Sequence, residues 1–153
     1  MLKERDKDII SICGDFTTTE FQDTYSTIIC IEALGYFNDL ESFFKKTTSL
    51  LADDGRLIIH YNNPGSWRFL LRKLKHWRTG HYPYNELIIE EVKRILSACE
   101  LEIEKISGMN WIPLPLSSNS WLVSVFEYME KMFQLEKWHS QSPWLLMSIK
   151  KQN

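Results

Sequence analysis

A strand–helix–strand pattern in the first half of the chain limits its fold more than any other feature. Tyr25–Ile31 is apolar on both faces, as is typical of a buried strand, and Arg56–Tyr61 resumes the β pattern. Between them, Asn38 with a glutamate three positions later predicts a helix start, and Asp54-Gly55 predicts the helix end. Two strands joined by one helix over short connections form a right-handed parallel crossover. The pattern therefore predicts an α/β fold with a mostly parallel sheet.

Similar signals extend the pattern in both directions. Asp8–Cys13 predicts another buried strand, closed by Gly14-Asp15. Later signals predict, in order, a capped helix at Asn85–Cys99, a strand at Leu101–Ile106, an apolar helix near Trp121–Leu135 and a last strand at Trp144–Ile149. The apolar helix is expected to be buried against the sheet, with an oligomer face as the alternative.

Composition favours one domain over residues 1–153, because 44% hydrophobic and 25% charged residues are ordinary for a globular chain without repeats or linkers. A net charge of −2 gives no basic footprint, so we expect no nucleic-acid partner. Cys13, Cys30 and Cys99 are far apart, which suggests neither disulfides nor a metal site. With no apolar run of about 20 residues, the chain is expected to be soluble and cytoplasmic.

The order of these signals resembles the class I methyltransferases that use S-adenosylmethionine, in particular those acting on small molecules. The resemblance is carried by four stretches, namely the strand ending in Gly14-Asp15, Tyr25–Tyr36 (YSTIICIEALGY), Leu50–Ile59 and Glu90–Leu101. It implies a Rossmann-like methyltransferase fold in which the last strand is antiparallel, with S-adenosylmethionine as the cofactor.

The resemblance also implies positions for the cofactor. Asp15 would accept a hydrogen bond from the adenine amino group, and Phe16 would lie beside the adenine. The methionine side would be lined by Cys30, Ile31, Glu32 and Leu34. The reaction would be a direct displacement in which an acceptor oxygen, nitrogen or carbon attacks the sulfonium methyl group.

One part of the family pattern is missing from this sequence. No G-x-G loop, and no strand with a ribose-binding acid, precedes Asp8, so the fold is expected to be truncated at the N-terminus. Without those strands, Thr27–Ile31 would be an open apolar edge that invites another chain. Three explanations remain: a longer natural protein, a second polypeptide that supplies the rest, or an Asp8–Cys13 strand that shifts to pair with Tyr25–Ile31. A non-catalytic fragment or partner subunit of a split methyltransferase is the alternative to an active enzyme. The open edge would pair with a complementing chain or with a second copy of this one.

Acceptor chemistry is expected where the strands end, because ligands of such sheets bind at the carboxyl edge. Tyr36, His60, Asn62 and Asn63 stand at such ends. His60 is the best candidate base, since histidine titrates near neutrality, and Tyr36 is the second catalytic candidate. A structural role is the competing interpretation for each of them.

A basic aromatic segment lies within residues 64–84, which we interpret as a lid-like insertion. Trp67–Arg78 has apolar residues on one helical face and basic residues on another, without an acid. It would cover the acceptor pocket, touch a membrane with anionic lipid, clamp a phosphorylated substrate, or dock with its basic face in solvent. Trp67, Tyr82 and Tyr84 are candidate contacts for a small-molecule or lipid-linked acceptor.

Overall fold

A single mixed sheet of four strands organises the computed structural model, which describes residues 10–77, 85, 87–111 and 121–152. The strands are β1 (Tyr25–Ile31), β2 (Leu51–Asn62), β3 (Leu101–Met109) and β4 (Trp144–Lys151), and their order across the sheet is β1-β2-β4-β3. β1 and β2 are parallel, whereas β4 runs antiparallel to both of its neighbours. The predicted α/β fold with an antiparallel last strand is confirmed.

The helices are α1 (Leu40–Leu50), α2 (Trp67–Trp77), α3 (Ile89–Ala98) and α4 (Leu122–Met132). Side chains of α1 and α3 join the core with one face of the sheet, where Phe44 and Leu96 are buried together with Ile59 of β2. Alternate β2 residues face this core because side chains of a strand point to opposite faces in turn. No helix in the described ranges is long and apolar enough to cross a membrane.

The boundaries of α1 differ from those predicted. Asp39, not Asn38, is the N-cap, since its carboxylate accepts hydrogen bonds from the Ser42 N–H (3.0 Å) and hydroxyl (2.6 Å). The predicted end at Asp54-Gly55 is also wrong, because α1 ends at Leu50 and β2 follows directly. The backbone turns extended at Leu51, so the helix stops without a glycine.

β1 was expected to be buried, and this is wrong: Ile29 and Ile31 are mostly exposed. The reason is its place in the sheet, because β2 is the only described strand beside it. The expected open apolar edge is therefore present in the described part of the chain.

The predicted buried strand at Asp8–Cys13 is wrong over its described residues, 10–13, which are irregular. Ile10 is 86% exposed, since no described strand lies alongside to pair with its backbone or cover its side chain. The alternative in which this run pairs with β1 is not observed for residues 10–13.

Two further predictions need correction. The α3 helix begins at Ile89 rather than at Asn85, and Asn85 instead donates from its backbone to Gly35 and from its side chain to Phe37. In α4 no residue is buried, because among the described elements this helix packs on the short turn Leu135–Lys137 rather than on the sheet. The interpretation of α4 as an oligomer face stays a prediction.

Candidate functional site

The carboxyl ends of the parallel strands β1 and β2 meet at Glu32. Its backbone N–H donates to the His60 carbonyl oxygen at 2.9 Å, and in the strand register Ile31 lies opposite His60. Glu32 has a φ of 55°, in the left-handed region that is unfavourable for a residue with a Cβ. Such strain is concentrated at functional sites, where the surrounding structure holds it. The chain therefore turns sharply at the sheet edge where open α/β folds bind ligands.

His60 lies half-buried at this edge. Its ring stacks on Trp144 with the centroids 4.7 Å apart and the planes 5° from parallel. Burial lowers the pKa of His60, and the nearby Glu32 carboxylate opposes this effect only in part. The buried Nδ1 has no hydrogen-bond partner among the described residues. A neutral imidazole in this environment can accept a proton.

Sequence reasoning did not find Trp144 as the partner of His60. Trp144 opens β4 and pairs in register with Asn62 of β2, more than 80 positions earlier in the chain. An aromatic residue at the start of the last strand was visible in the sequence. Its neighbour was not, because strand register over that separation has no local signal.

Tyr36 and Asn62 lie at the same end of the sheet. Tyr36 closes the short 3-10 turn Leu34–Tyr36 that follows β1, and its side chain is mostly exposed. Asn62 is the last residue of β2 and is partly exposed. The structure thus brings Tyr36, His60 and Asn62 to one edge, as their positions after β1 and within β2 predicted.

Asn63 has a structural role, which corrects its prediction as a substrate contact. It is buried, and its amide nitrogen lies within 3.1 Å of the carbonyl oxygens of His139, Ser140 and Ser142. Its side-chain oxygen accepts the Gly65 N–H at 2.9 Å. Both ends of the amide are therefore occupied in tying the end of β2 to the loop before β4.

Asp15 closes a turn and is exposed. Its Oδ1 accepts the Thr17 N–H at 2.7 Å and the Thr17 hydroxyl at 2.6 Å, and these bonds hold the pKa of Asp15 below its usual value. Oδ2 has no hydrogen-bond partner among the described residues. The turn fixes the carboxylate while leaving one oxygen for a further donor.

Phe16 is half-buried in an aromatic cluster. Its ring centroid lies 5.6 Å from Phe21 and 5.4 Å from Phe43. Phe16 also bounds an open cavity of about 730 Å³, together with Ile10, Gly14 and Tyr25. This cavity is large enough for a nucleoside-sized group.

The remaining predicted cofactor contacts fall into two groups. Ile31 and Glu32 are exposed and offer surface to a ligand. Cys30 and Leu34 are buried in the core, so their side chains support this edge from behind rather than lining it. Burial also raises the pKa of the Cys30 thiol.

The predicted acceptor contacts on the lid-like segment are only partly described. Trp67 is the first residue of α2 and is partly exposed, with the Arg68 guanidinium 5.7 Å from its ring centroid. Tyr82 and Tyr84 lie outside the described residues. Within the described ranges, no group of His, Cys, Asp and Glu could hold a metal ion.

A second cleft of about 590 Å³ lies at the opposite end of β2, between Asp53, Arg56 and Glu104. Arg56 pairs with Glu104 at 2.9 Å, and Lys151 pairs with Asp53 at 3.4 Å. Exposed pairs of this kind contribute little to stability, and the cleft lies away from the carboxyl edge where ligands of open α/β sheets bind. The strand ends near His60 are therefore the better candidate site.

Comparisons with known proteins agree with this geometry. The sequence profile of a family described as Methyltransferase domain matches residues 5–106. No curated protein sequence matches the chain.

Several solved structures share the fold. One is an S-adenosylmethionine-dependent methyltransferase, possible histamine N-methyltransferase, from Thermotoga maritima, with a TM-score of 0.64 and 11% identity over 91% of this chain and 62% of that one. Another, from Mesorhizobium loti, has a TM-score of 0.59 and 16% identity, and covers 90% and 67%. The magnesium protoporphyrin IX methyltransferase of Synechocystis PCC 6803, solved with bound SAH, has a TM-score of 0.55 and 14% identity, and covers 90% and 49%. This chain thus spans about half of the Synechocystis protein.

Proposed function

This chain belongs to the methyltransferase domain family, and we propose that it forms the acceptor side of a site for methyl transfer from S-adenosylmethionine to a small-molecule or lipid-linked acceptor. The observation that carries the proposal is the half-buried His60 ring, stacked on Trp144 beside the strained Glu32, where two parallel strands end. Ligands of open α/β sheets bind at that edge.

In this proposal the adenine end of S-adenosylmethionine lies at Asp15 and Phe16. The free Oδ2 of Asp15 would accept a hydrogen from the adenine amino group, because the turn through Thr17 already holds Oδ1. The cavity beside Gly14 and Phe16 would take the adenine ring. Ile31 and the Glu32 backbone would line the methionine side, with Cys30 and Leu34 packed behind them.

S-adenosylmethionine supplies an electrophilic methyl group on a sulfonium sulfur. His60 would take the proton that an oxygen or nitrogen acceptor loses as it attacks, and release it to solvent afterwards. Tyr36 and Asn62 would hold the acceptor in line with the methyl group, a positioning effect that contributes more than the proton transfer. A base of this kind contributes roughly 100- to 10,000-fold to the rate.

The lid-like insertion at residues 64–84 forms part of the same proposal. The anchored Asn63 fixes the start of this insertion. The backbone oxygen of Asn63 accepts hydrogen bonds from both the Ser66 hydroxyl (2.8 Å) and the Ser66 N–H (3.2 Å). Helix α2 therefore begins beside the carboxyl end of β2. That position suits Trp67 as a contact to the acceptor, with Tyr82 and Tyr84 further along the segment.

Calorimetric titration of the full chain with S-adenosylhomocysteine tests the cofactor site. Asp15→Asn keeps an oxygen for Thr17 but replaces the free acceptor with a donor, so we expect binding about tenfold weaker or worse. Asp39→Asn is the matched control, because Asp39 holds Ser42 through the same kind of turn contacts at the start of α1. Equal affinity in wild type and Asp15→Asn would contradict the assignment of Asp15.

The open β1 edge favours a second candidate function. The chain would be a partner subunit that completes its sheet with strands from another polypeptide and transfers no methyl group by itself. A folded chain that binds no S-adenosylhomocysteine would support this function over the first. Binding that Asp15→Asn weakens and Asp39→Asn preserves would exclude it.

A further inference from the structure

The apolar side of α2 points away from the protein. Phe69 is 5% exposed and anchors the helix, whereas Leu70, Leu71 and Leu74 are 63%, 57% and 62% exposed. At about 100° per residue, Phe69 and Leu71 lie on nearly opposite sides of the helix. The leucines therefore form an outward stripe, in contrast to the usual surface helix, whose apolar stripe faces the core.

Specific contacts fix this orientation. The Phe69 N–H donates to the Ser66 hydroxyl at 3.2 Å, and that hydroxyl donates to the Asn63 carbonyl oxygen. One position before Phe69, Arg68 Nη1 donates to the Asn110 carbonyl oxygen at 3.3 Å. The side of α2 that carries Phe69 and Arg68 is thus attached to the protein, and the leucine stripe is left outside.

The charge of α2 differs from that of the whole chain. The helix sequence WRFLLRKLKHW contains Arg68, Arg72, Lys73 and Lys75 but no acid, although the chain has a net charge of −2. The helix that carries the leucine stripe therefore has a net positive charge. A strongly amphipathic helix with leucine and tryptophan on one side and lysine and arginine on the other is the pattern of helices that lie in a membrane interface.

Exposed apolar surface alone does not make the pattern of a membrane-interface helix, as α4 shows. Tyr128 and Met132 are 67% and 54% exposed, but α4 also carries Glu127 and Glu130. An anionic surface would repel those carboxylates, whereas it attracts the net positive charge of α2. Charge complementarity therefore selects α2.

We propose that α2 docks this protein on an anionic lipid bilayer, with Leu70, Leu71 and Leu74 at the acyl boundary and the net positive charge of the helix attracted to the headgroups. Because α2 starts beside the carboxyl end of β2, docking places the candidate site near the membrane surface. The inference rests on the exposure and charge of α2 and is independent of methyl transfer.

Flotation of the full chain with lipid vesicles tests the proposal. We expect binding to vesicles in which about a third of the phosphatidylcholine is replaced by phosphatidylglycerol, little binding to phosphatidylcholine alone, and weaker binding as salt is raised. Leu70→Ser/Leu74→Ser should weaken binding more than about tenfold, since two exposed leucines lose their burial in the acyl boundary. Circular dichroism checks that the variant keeps its fold, and a single Leu71→Ser variant replaces it if it does not.

Tyr128→Ser/Met132→Ser is the matched control, because it removes a similar exposed apolar pair from α4. It should bind vesicles like the wild type. Absence of binding by the wild type, equal binding to both kinds of vesicle, or equal loss in both double variants would each overturn the proposal. So would a dimer that the leucine variant abolishes without any binding to vesicles, since a second copy would then be the partner of the stripe.

Discussion

At the residue scale, His60 links packing to pH. Its folded-state pKa is depressed below the ordinary value of 6.5, so below that pH the unfolded chain binds a proton that the folded chain does not. The free energy of unfolding should therefore fall as pH drops through about 6.5 towards the folded-state pKa. At higher pH both states hold a neutral His60, so this destabilising effect should be absent. Urea unfolding of wild type and His60→Gln across this range measures the difference. Identical pH profiles would contradict the burial of the ring on Trp144.

Asn63 gives a second prediction for a single residue. Asn63→Asp keeps the shape but removes the donors to three carbonyl oxygens, so it should lower the free energy of unfolding by about 3 kcal/mol. Asn38→Ala, at an exposed position, is the control and should leave stability nearly unchanged. A substrate contact would behave differently, with unchanged urea unfolding and a raised KM.

His60 and Asn63 also show how much of the site can be predicted from the sequence. A histidine or asparagine at the end of a predicted strand is placed correctly at the carboxyl edge by alternation alone. Whether its side chain meets a ligand or the protein depends on the 139–144 region, which folds against β2 from far along the chain. His60 and Asn63 therefore looked equivalent in sequence, although one is a candidate base and the other a structural tie.

At the element scale, local signals predicted the presence of the helices better than their first and last residues. Replacing Asp39 by alanine should lower the urea midpoint of unfolding, because the Ser42 N–H loses its acceptor at the start of α1. Asn38→Ala should have no comparable effect, although Asn38 stands first in the capping-box-like sequence. An equal loss in both variants would contradict Asp39 as the cap.

Element burial was the hardest property to predict. Apolar spacing identified the helices α2 and α4, yet the exposed leucines of α2 and the absence of buried residues in α4 were not predicted. The same holds for residues 10–13, which are apolar enough to be buried, whereas for β1 the sequence indicated both a buried strand and an open apolar edge. Apolarity indicates that a surface needs covering, but only the arrangement of neighbouring elements determines what covers it.

At the scale of the whole molecule, the sheet has one well-covered face and one open edge. α1 and α3 cover the face that contains Leu57 and Ile59, while β1 exposes Ile29 beside an unpaired strand edge in the described part of the chain. The matching structures are longer than this chain, which covers 49% of the Synechocystis protein and 62% of the Thermotoga protein. The open edge is thus where this part of the fold can accept further strands.

This architecture predicts self-association through β1. Ile29→Lys should shift the mass measured by light scattering towards the monomer, because a lysine on an open edge opposes strand pairing between chains. Ile29 is 62% exposed and makes no contribution to the buried core, so the substitution should leave α1, α3 and β2 in place. Ile88→Lys is the matched control, since Ile88 is 55% exposed but is the N-cap of α3 and belongs to no strand. A wild type that stays monomeric at every concentration, or an equal shift in the Ile88 variant, would show that β1 is not the adhesive surface.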